Sequence, residues 1–258
     1  EGADSEQVFR ALARKNFDLI FGTSFGFGDP MEAVAAEFPE TMFIHLTGIK
    51  SNEKNFGNLM GAMENMKYLA GVLAGARAKM DGNPKLGYMA TFPIPEELRL
   101  GNAFMLGAKK TCPECTMDVR WLNTWHDPII EKESAASLFD AGAQVVLTGA
   151  DTPAVADVAT AKGKWGITYD WYGSCKADGC LTAPYWNWGP IYLKLAEEVK
   201  AGTYKEKLML GQNKSNVVLK GQGAENTILT YDDYAGKPGV GGTSNCYSTA
   251  IESDPRWC

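Results

Sequence analysis

Short apolar runs alternate with amphipathic stretches along most of the chain. Phe17–Phe21, Thr41–Leu46, Lys85–Met89, Met117–Leu122, Gln144–Thr148 and Trp165–Tyr169 each read as a buried strand. Between them, apolar residues at three- and four-residue spacing predict helices over Ser5–Ala13, Met31–Phe38, Asn58–Met80, Glu96–Lys110, Ile129–Ala141 and Ala154–Lys162. Strand-helix-strand repetition predicts parallel sheets covered by helices on both faces, an α/β fold.

Proline supports the helix starts. Pro30, Pro95, Pro128, Pro153 and Pro190 each stand where a first helical residue is expected, and Asp29, Asp127 and Thr152 precede three of them as N-cap candidates. Grouping the strands divides the chain into lobes. Residues 1–50 make an N-terminal lobe that 186–210 rejoins through a helix at Pro190–Ala201, and 51–185 make a second, better-stocked lobe. Residues 211–258 form a loop-rich tail with a glycine-rich run at 239–245.

Composition narrows the function classes. With 25 Lys+Arg against 31 Asp+Glu, the chain lacks the basic excess that nucleic-acid binding needs. Its longest smooth apolar stretch, Tyr68–Ala76, is far shorter than the ~20 residues of a membrane span. Six cysteines fall into local pairs, Cys112/Cys115, Cys175/Cys180 and Cys246/Cys258. They admit three readings: disulfides of an oxidising compartment, a Cys-x-x-Cys redox centre, or a metal site. Two histidines and the absence of repeated short cysteine spacing weigh against zinc. Cys112 and Cys115 follow a helix and precede a strand, away from the helix N-terminus that activates a redox thiol, so a structural staple is favoured. Asn213-Lys214-Ser215 spells a glycosylation sequon.

Enzymatic readings have little to stand on. No dinucleotide fingerprint, phosphate-binding loop or Gly-x-Ser-x-Gly elbow occurs, so no cofactor is expected. His45 lies in an apolar strand and reads as a core residue; His126 is the one candidate base, for a nucleoside hydrolase with no identifiable nucleophile. What stands out is the edge where the strands end, because open α/β sheets bind ligands there. Phe25, Phe27, Phe92, Trp125, Trp171 and Trp186 collect there beside Asp29, Asp127, Asp151 and Asp170. Rings beside carboxylates suit a flat heterocycle with N–H donors, each stacked ring contributing roughly 1–3 kcal/mol. Taken singly, each ring is better explained by packing at a domain interface, and Asp29 and Asp127 by helix capping; capping does not explain the set of rings together.

These loops also carry a resemblance. Phe92-Pro93-Ile94-Pro95-Glu96, Asn102-Ala103-Phe104, Leu106-Gly107-Ala108, Asn123-Thr124-Trp125 and Trp186-Asn187-Trp188-Gly189-Pro190 resemble the basic membrane protein (BMP) family, as do Tyr68-Leu69-Ala70-Gly71 and Thr23-Ser24-Phe25-Gly26. These are solute-binding proteins of ABC transporters, related to purine nucleoside receptors. The resemblance covers about residues 3–204 and leaves out the tail. It implies a two-lobed type I periplasmic-binding-protein fold that holds a purine base or nucleoside in a cleft between lobes.

Its ligand positions fall on Ser24, Phe25, Phe92, Trp125, Asp151, Trp186 and Asn187, with Asp170 the nearest acidic residue after the sixth strand. It further implies an extracytoplasmic location, periplasmic, lipid-anchored or secreted, and a membrane component of a transporter as partner. Measured against the family pattern, the N-terminal lobe lacks its first strands: either the sequence is incomplete there or another polypeptide completes the lobe, and the divergent tail is a second place where other chains are expected as partners. The alternative reading is a secreted structural or receptor-type protein that keeps the fold without transport.

Overall fold

The computed structural model describes residues 3–52, 54–201, 217–220 and 228–231. Asn213, Cys246 and Cys258 lie outside them. The chain divides into two compact units, Glu1–Gly61 with Trp188–Cys258, and Ala62–Asn187. The first change of unit falls well after residue 50, because the stretch before Gly61 ends in a strand and not in the start of a long helix. Trp186 and Asn187 also stay with the second unit.

In the first unit, α1 (Ala3–Arg14) precedes β1 (Leu19–Gly22), a 3-10 turn at Phe25–Phe27, α2 (Gly28–Glu37), β2 (Met42–Leu46) and β3 (Phe56–Leu59). The strands form a parallel sheet in the order β1-β2-β3. β2 is buried along its whole length because both faces are covered. Phe43 packs with Ile20 and Phe56 beneath Phe9, Ala13, Met31 and Val34 of the two helices. Met42, Ile44 and Leu46 point the other way, as a two-residue period requires, and meet Leu195 of a late helix, α7 (Gly189–Lys200), with Trp188 and Tyr192.

The helix expected from Asn58 begins only at Met63, and Asn58 and Leu59 instead end the strand β3. Phe56-Gly57-Asn58-Leu59 offers no apolar run, and Asn58 is tolerated in a buried strand because its side-chain amide donates to the Lys50 carbonyl at 3.0 Å. In the tail, read above as loop-rich, β9 (Val217–Lys220) and β10 (Ile228–Tyr231) pair antiparallel.

The second unit runs α3 (Met63–Met80), β4 (Lys85–Ala90), α4 (Pro95–Thr111), β5 (Thr116–Trp121), α5 (Pro128–Asp140), β6 (Val145–Thr148), α6 (Ala154–Lys162), β7 (Trp165–Ile167) and β8 (Cys180–Thr182). Its five strands are parallel in the order β5-β4-β6-β7-β8. The winding direction therefore reverses between β4 and β6, the place where ligands bind in such sheets. One face packs Leu86, Tyr88 and Leu147 against Ala70, Ala74 and Phe104 of α3 and α4. The other packs Met89 and Val146 against Leu138 and Phe139 of α5 and Val155 of α6.

α3 and α4 approach at backbone distance. A Cβ at Gly71 would lie 1.9 Å from the Phe104 carbonyl oxygen, and one at Gly107 would lie 2.0 Å from that of Tyr68. The two glycines face each other's helices reciprocally, so the Gly71/Gly75 spacing serves helix packing inside one unit.

The capping expectation holds in part. Asp127 caps α5, accepting from the Ile129 and Ile130 amides, with Pro128 in the first turn. Asp29 instead lies inside α2, which grows directly out of the 3-10 turn, and pairs with Lys50 at 2.7 Å. α6 starts one residue after Pro153, and the Thr152 hydroxyl donates to Glu131 at 2.6 Å.

Two disulfides are present among the described residues. Cys112–Cys115 joins the end of α4 to the approach to β5, and Cys175–Cys180 closes the helix-free connection between β7 and β8. By loop-closure entropy so short a loop contributes about 2 kcal/mol. Changing Cys175 and Cys180 together to serine should therefore lower the thermal midpoint by about 4–8 °C. Scanning calorimetry of the double variant checks this, with Cys112 and Cys115 left intact.

Candidate functional site

The expected ligand residues distribute over both units. Ser24 and Phe25 belong to the first, on the loop after β1. Ser24 leads into the 3-10 turn, and its carbonyl lies 2.8 Å from the His45 Nε2. His45 is almost wholly buried, a core histidine that braces this loop. Phe92, Trp125, Asp151, Asp170, Trp186 and Asn187 belong to the second unit, at the carboxyl ends of β4, β5, β6, β7 and just before α7.

Within the second unit one ring contact and several hydrogen bonds to the backbone link the segments that carry these residues into one wall. The Phe92 and Trp125 rings sit 5.0 Å apart, tilted by 55°. The Asp151 amide donates to the Trp125 carbonyl at 3.1 Å, and the Trp171 Nε1 donates to the Asp151 carbonyl at 3.2 Å. The Trp186 amide donates to the Asp170 carbonyl at 3.0 Å, and its Nε1 donates to the Tyr169 Oη at 2.9 Å. Asp170 adopts φ of 76°, a left-handed conformation that Asp tolerates better than most residues and that directs the chain into the Cys175–Cys180 loop. Asn187 and His126 are exposed.

The carboxyl groups are perturbed. Burial pushes Asp151 up to about 7, and the neighbouring Asp170, Glu131 and Glu97 carboxylates add to it. Burial also raises Asp170, against the opposing pull of the Lys67 ammonium. At the start of α4, burial and the adjacent Glu97 push Glu96 up to about 7. Such a group stands ready to gain or lose a proton near neutrality when a ligand presents a donor.

Beneath this wall lies a buried polar floor that the sequence reading missed. Glu97, 2% exposed, accepts from the Tyr88 hydroxyl at 2.8 Å and the Thr91 amide at 3.0 Å. Two glycines make room for it: a Cβ at Gly149 would lie 2.4 Å from the Glu97 Oε2, and one at Gly101 would lie 2.8 Å from the Tyr88 ring. Lys67 on α3 is fully buried. Its Nζ donates to the Thr148 carbonyl at the end of β6, at 3.0 Å, and sits 3.6 Å from the centre of the Tyr169 ring. Burial brings its amine down to about 7, with Glu97, Asp170 and Glu96 working to keep the proton on. A signal existed for Lys67: it occupies the buried stripe Met63, Ala70, Ala74, Ala78, otherwise apolar and small.

Comparison with known proteins agrees with this architecture. The chain matches the Bmp family, described as ABC transporter substrate-binding protein PnrA-like, over residues 1–235. The match runs past residue 204 and takes in much of the tail that the motifs had left out. A protein of Haloferax volcanii named a putative ABC transporter glucose-binding protein is 37% identical over 90% of this chain and 58% of its own length. A purine-binding protein of Brucella abortus is 37% identical over 80% of this chain and 58% of its own length.

The chain thus spans a little over half the length of these two relatives. An ABC transporter solute-binding protein of Aeropyrum pernix has a similar fold, with a TM-score of 0.69 at 19% identity, covering 82% of this chain and 62% of that one. The parallel sheets of this chain, covered by helices, are those of the type I periplasmic-binding-protein fold. Among the described residues no helix is long and apolar enough to cross a membrane. The chain belongs to the Bmp family, the PnrA-like substrate-binding proteins of ABC transporters.

Proposed function

We propose that this protein captures a purine base or nucleoside outside the cytoplasm and presents it to the membrane component of an ABC transporter. One observation carries the ligand class: the second unit sets the Phe92–Trp125 ring pair beside two partly buried carboxyl groups, Asp151 and Asp170. The rings offer stacking surface for a flat heterocycle, and the carboxylates accept from its N–H edge. Trp186 extends the aromatic wall, and Asn187 supplies an exposed amide beside it. The named ligand of the Brucella relative supports this reading. The family consists of binding proteins, so His126 is left without a catalytic role.

Isothermal calorimetry with adenine, guanine, adenosine, guanosine and glucose tests the proposal. Micromolar or tighter binding of a purine supports it; heat from glucose alone, or from none of the five, sinks it. The pH dependence gives a second check. A ligand that donates N–H needs the carboxylate form, and in the free protein Asp151 holds its proton below about 7. Binding then has to displace that proton. Affinity should fall by up to about tenfold per pH unit below pH 7, since one pKa unit corresponds to ~1.4 kcal/mol.

A further inference from the structure

We propose that Lys67 is the positioning residue of this site: from beneath the wall its ammonium ties the Asp151 loop to the Asp170 and Trp186 segment, and thereby sets the distance between the two carboxylates. The inference rests on the purine-binding reading and adds the residue that holds the binding geometry. Lys67 is fully buried in a stripe of small apolar side chains, a place where an ammonium is expensive unless it is doing something for its surroundings.

Its contacts reach two neighbouring strand ends. The hydrogen bond to the Thr148 carbonyl fixes the exit of β6, three residues before Asp151. The Thr148 hydroxyl in turn accepts from the Ala150 amide at 3.0 Å, so the turn leading to Asp151 is built on the residue that Lys67 holds. On the other side the ammonium lies against the Tyr169 ring. Tyr169 precedes Asp170, and its hydroxyl accepts the Trp186 indole N–H. One side chain on α3 therefore braces both loops that carry the ligand-facing carboxyl groups, without reaching the ligand surface itself.

The groups that face the ammonium explain why it matters electrically. α4 contributes Glu96 and Glu97, and the segment after β7 contributes Asp170 and Tyr169. β6 contributes a neutral carbonyl. Lys67 favours the ionised form of Asp170, the form that accepts a donor from the ligand. Removing its charge while keeping its bulk should loosen the wall and keep Asp170 protonated to higher pH.

The test uses the whole chain with Lys67→Met and Lys67→Arg, adenine as the titrant, and calorimetry from pH 5.5 to 8.5. Lys67→Met is expected to weaken adenine binding at least tenfold at pH 7 and to move the pH midpoint of affinity upward. Lys67→Arg, which keeps the charge, should recover part of the affinity and return the midpoint towards that of the parent. Acrylamide quenching of Trp186, isolated by difference against Trp186→Phe, should rise in Lys67→Met and less in Lys67→Arg.

Binding by Lys67→Met within twofold of the parent, with the same midpoint, overturns the proposal. If the parent binds another of the four purines but not adenine, that purine becomes the titrant; if it binds none of them, the purine reading has failed instead, and the quenching comparison still decides whether Lys67 holds the wall: unchanged quenching overturns it. Should Lys67→Met fail to fold by circular dichroism, Lys67→Arg decides alone. Parental affinity, midpoint and quenching there would reject any dependence on the ammonium's compact contacts, while weakened binding and raised quenching would support it.

Discussion

Gly71→Ala should lower the melting temperature by about 6–12 °C. In an exposed helix interior the same change would stabilise by up to ~1 kcal/mol, because alanine is the better helix former. Here the new Cβ would sit 1.9 Å from the Phe104 carbonyl oxygen, 2.8 Å from its carbon and 2.9 Å from the Ala108 amide nitrogen. None of those atoms is the end of a flexible side chain, so relief requires α3 and α4 to move apart. That would also open the contact at Gly107, which leans on the Tyr68 carbonyl.

Overpacking of this kind typically costs ~1–3 kcal/mol and occasionally more, and a backbone obstacle on both helices argues for the upper end. At 2–4 °C per kcal/mol for a chain of this size, the shift is well within reach of scanning calorimetry. Gly189→Ala is the control, since a Cβ there meets nothing within 4 Å. An unchanged midpoint for Gly71→Ala would mean the two helices are not in backbone contact.

Glu97→Ala should cost about 3–5 kcal/mol, the magnitude associated with removing one partner from a buried charged network. The substitution strips the Tyr88 hydroxyl and the Thr91 amide of their acceptor in a place water does not reach, at ~1–3 kcal/mol for each abandoned donor. It also removes the carboxylate that does most to hold the Lys67 proton. Glu97→Gln keeps an acceptor and should cost markedly less. Urea unfolding followed by tryptophan fluorescence separates the two variants. Equal stability of Glu97→Ala and the parent would mean that Tyr88 and Thr91 find other partners, and the floor is not the network described.

How much of this was legible depended on whether the signal was local. β4, β5, β6 and the helices between them have long periodic patterns and stood out at once. β3 and β8 did not, because Phe56–Leu59 and Cys180–Thr182 are too short for a period, and the first contains Gly57 and Asn58. The aromatic and acidic residues of the edge were legible because strand ends in an open α/β sheet mark ligand positions before any coordinates exist. Glu97 and Tyr88 were not. Their pairing depends on two missing side chains, at Gly101 and Gly149, that are far from each other in sequence. Lys67 was a middle case, visible only as a cation in an otherwise apolar, small-residue helical stripe.

The coverage of β2 bears on how the protein is made. Its inner face, Phe43 with Ile20, can be closed by α1 and α2, which leave the ribosome at nearly the same time. Its other face, Met42, Ile44 and Leu46, waits for Leu195 and the rings of α7. The whole second unit is synthesised in between. At ~5–20 residues per second that interval lasts on the order of 10 s. A nascent chain would carry a bare apolar strand face throughout, while the second unit, one uninterrupted stretch, is free to fold. Secretion or chaperone capture during synthesis would therefore act first on the early segment, and a stalled chain lacking α7 would be the species most prone to aggregate.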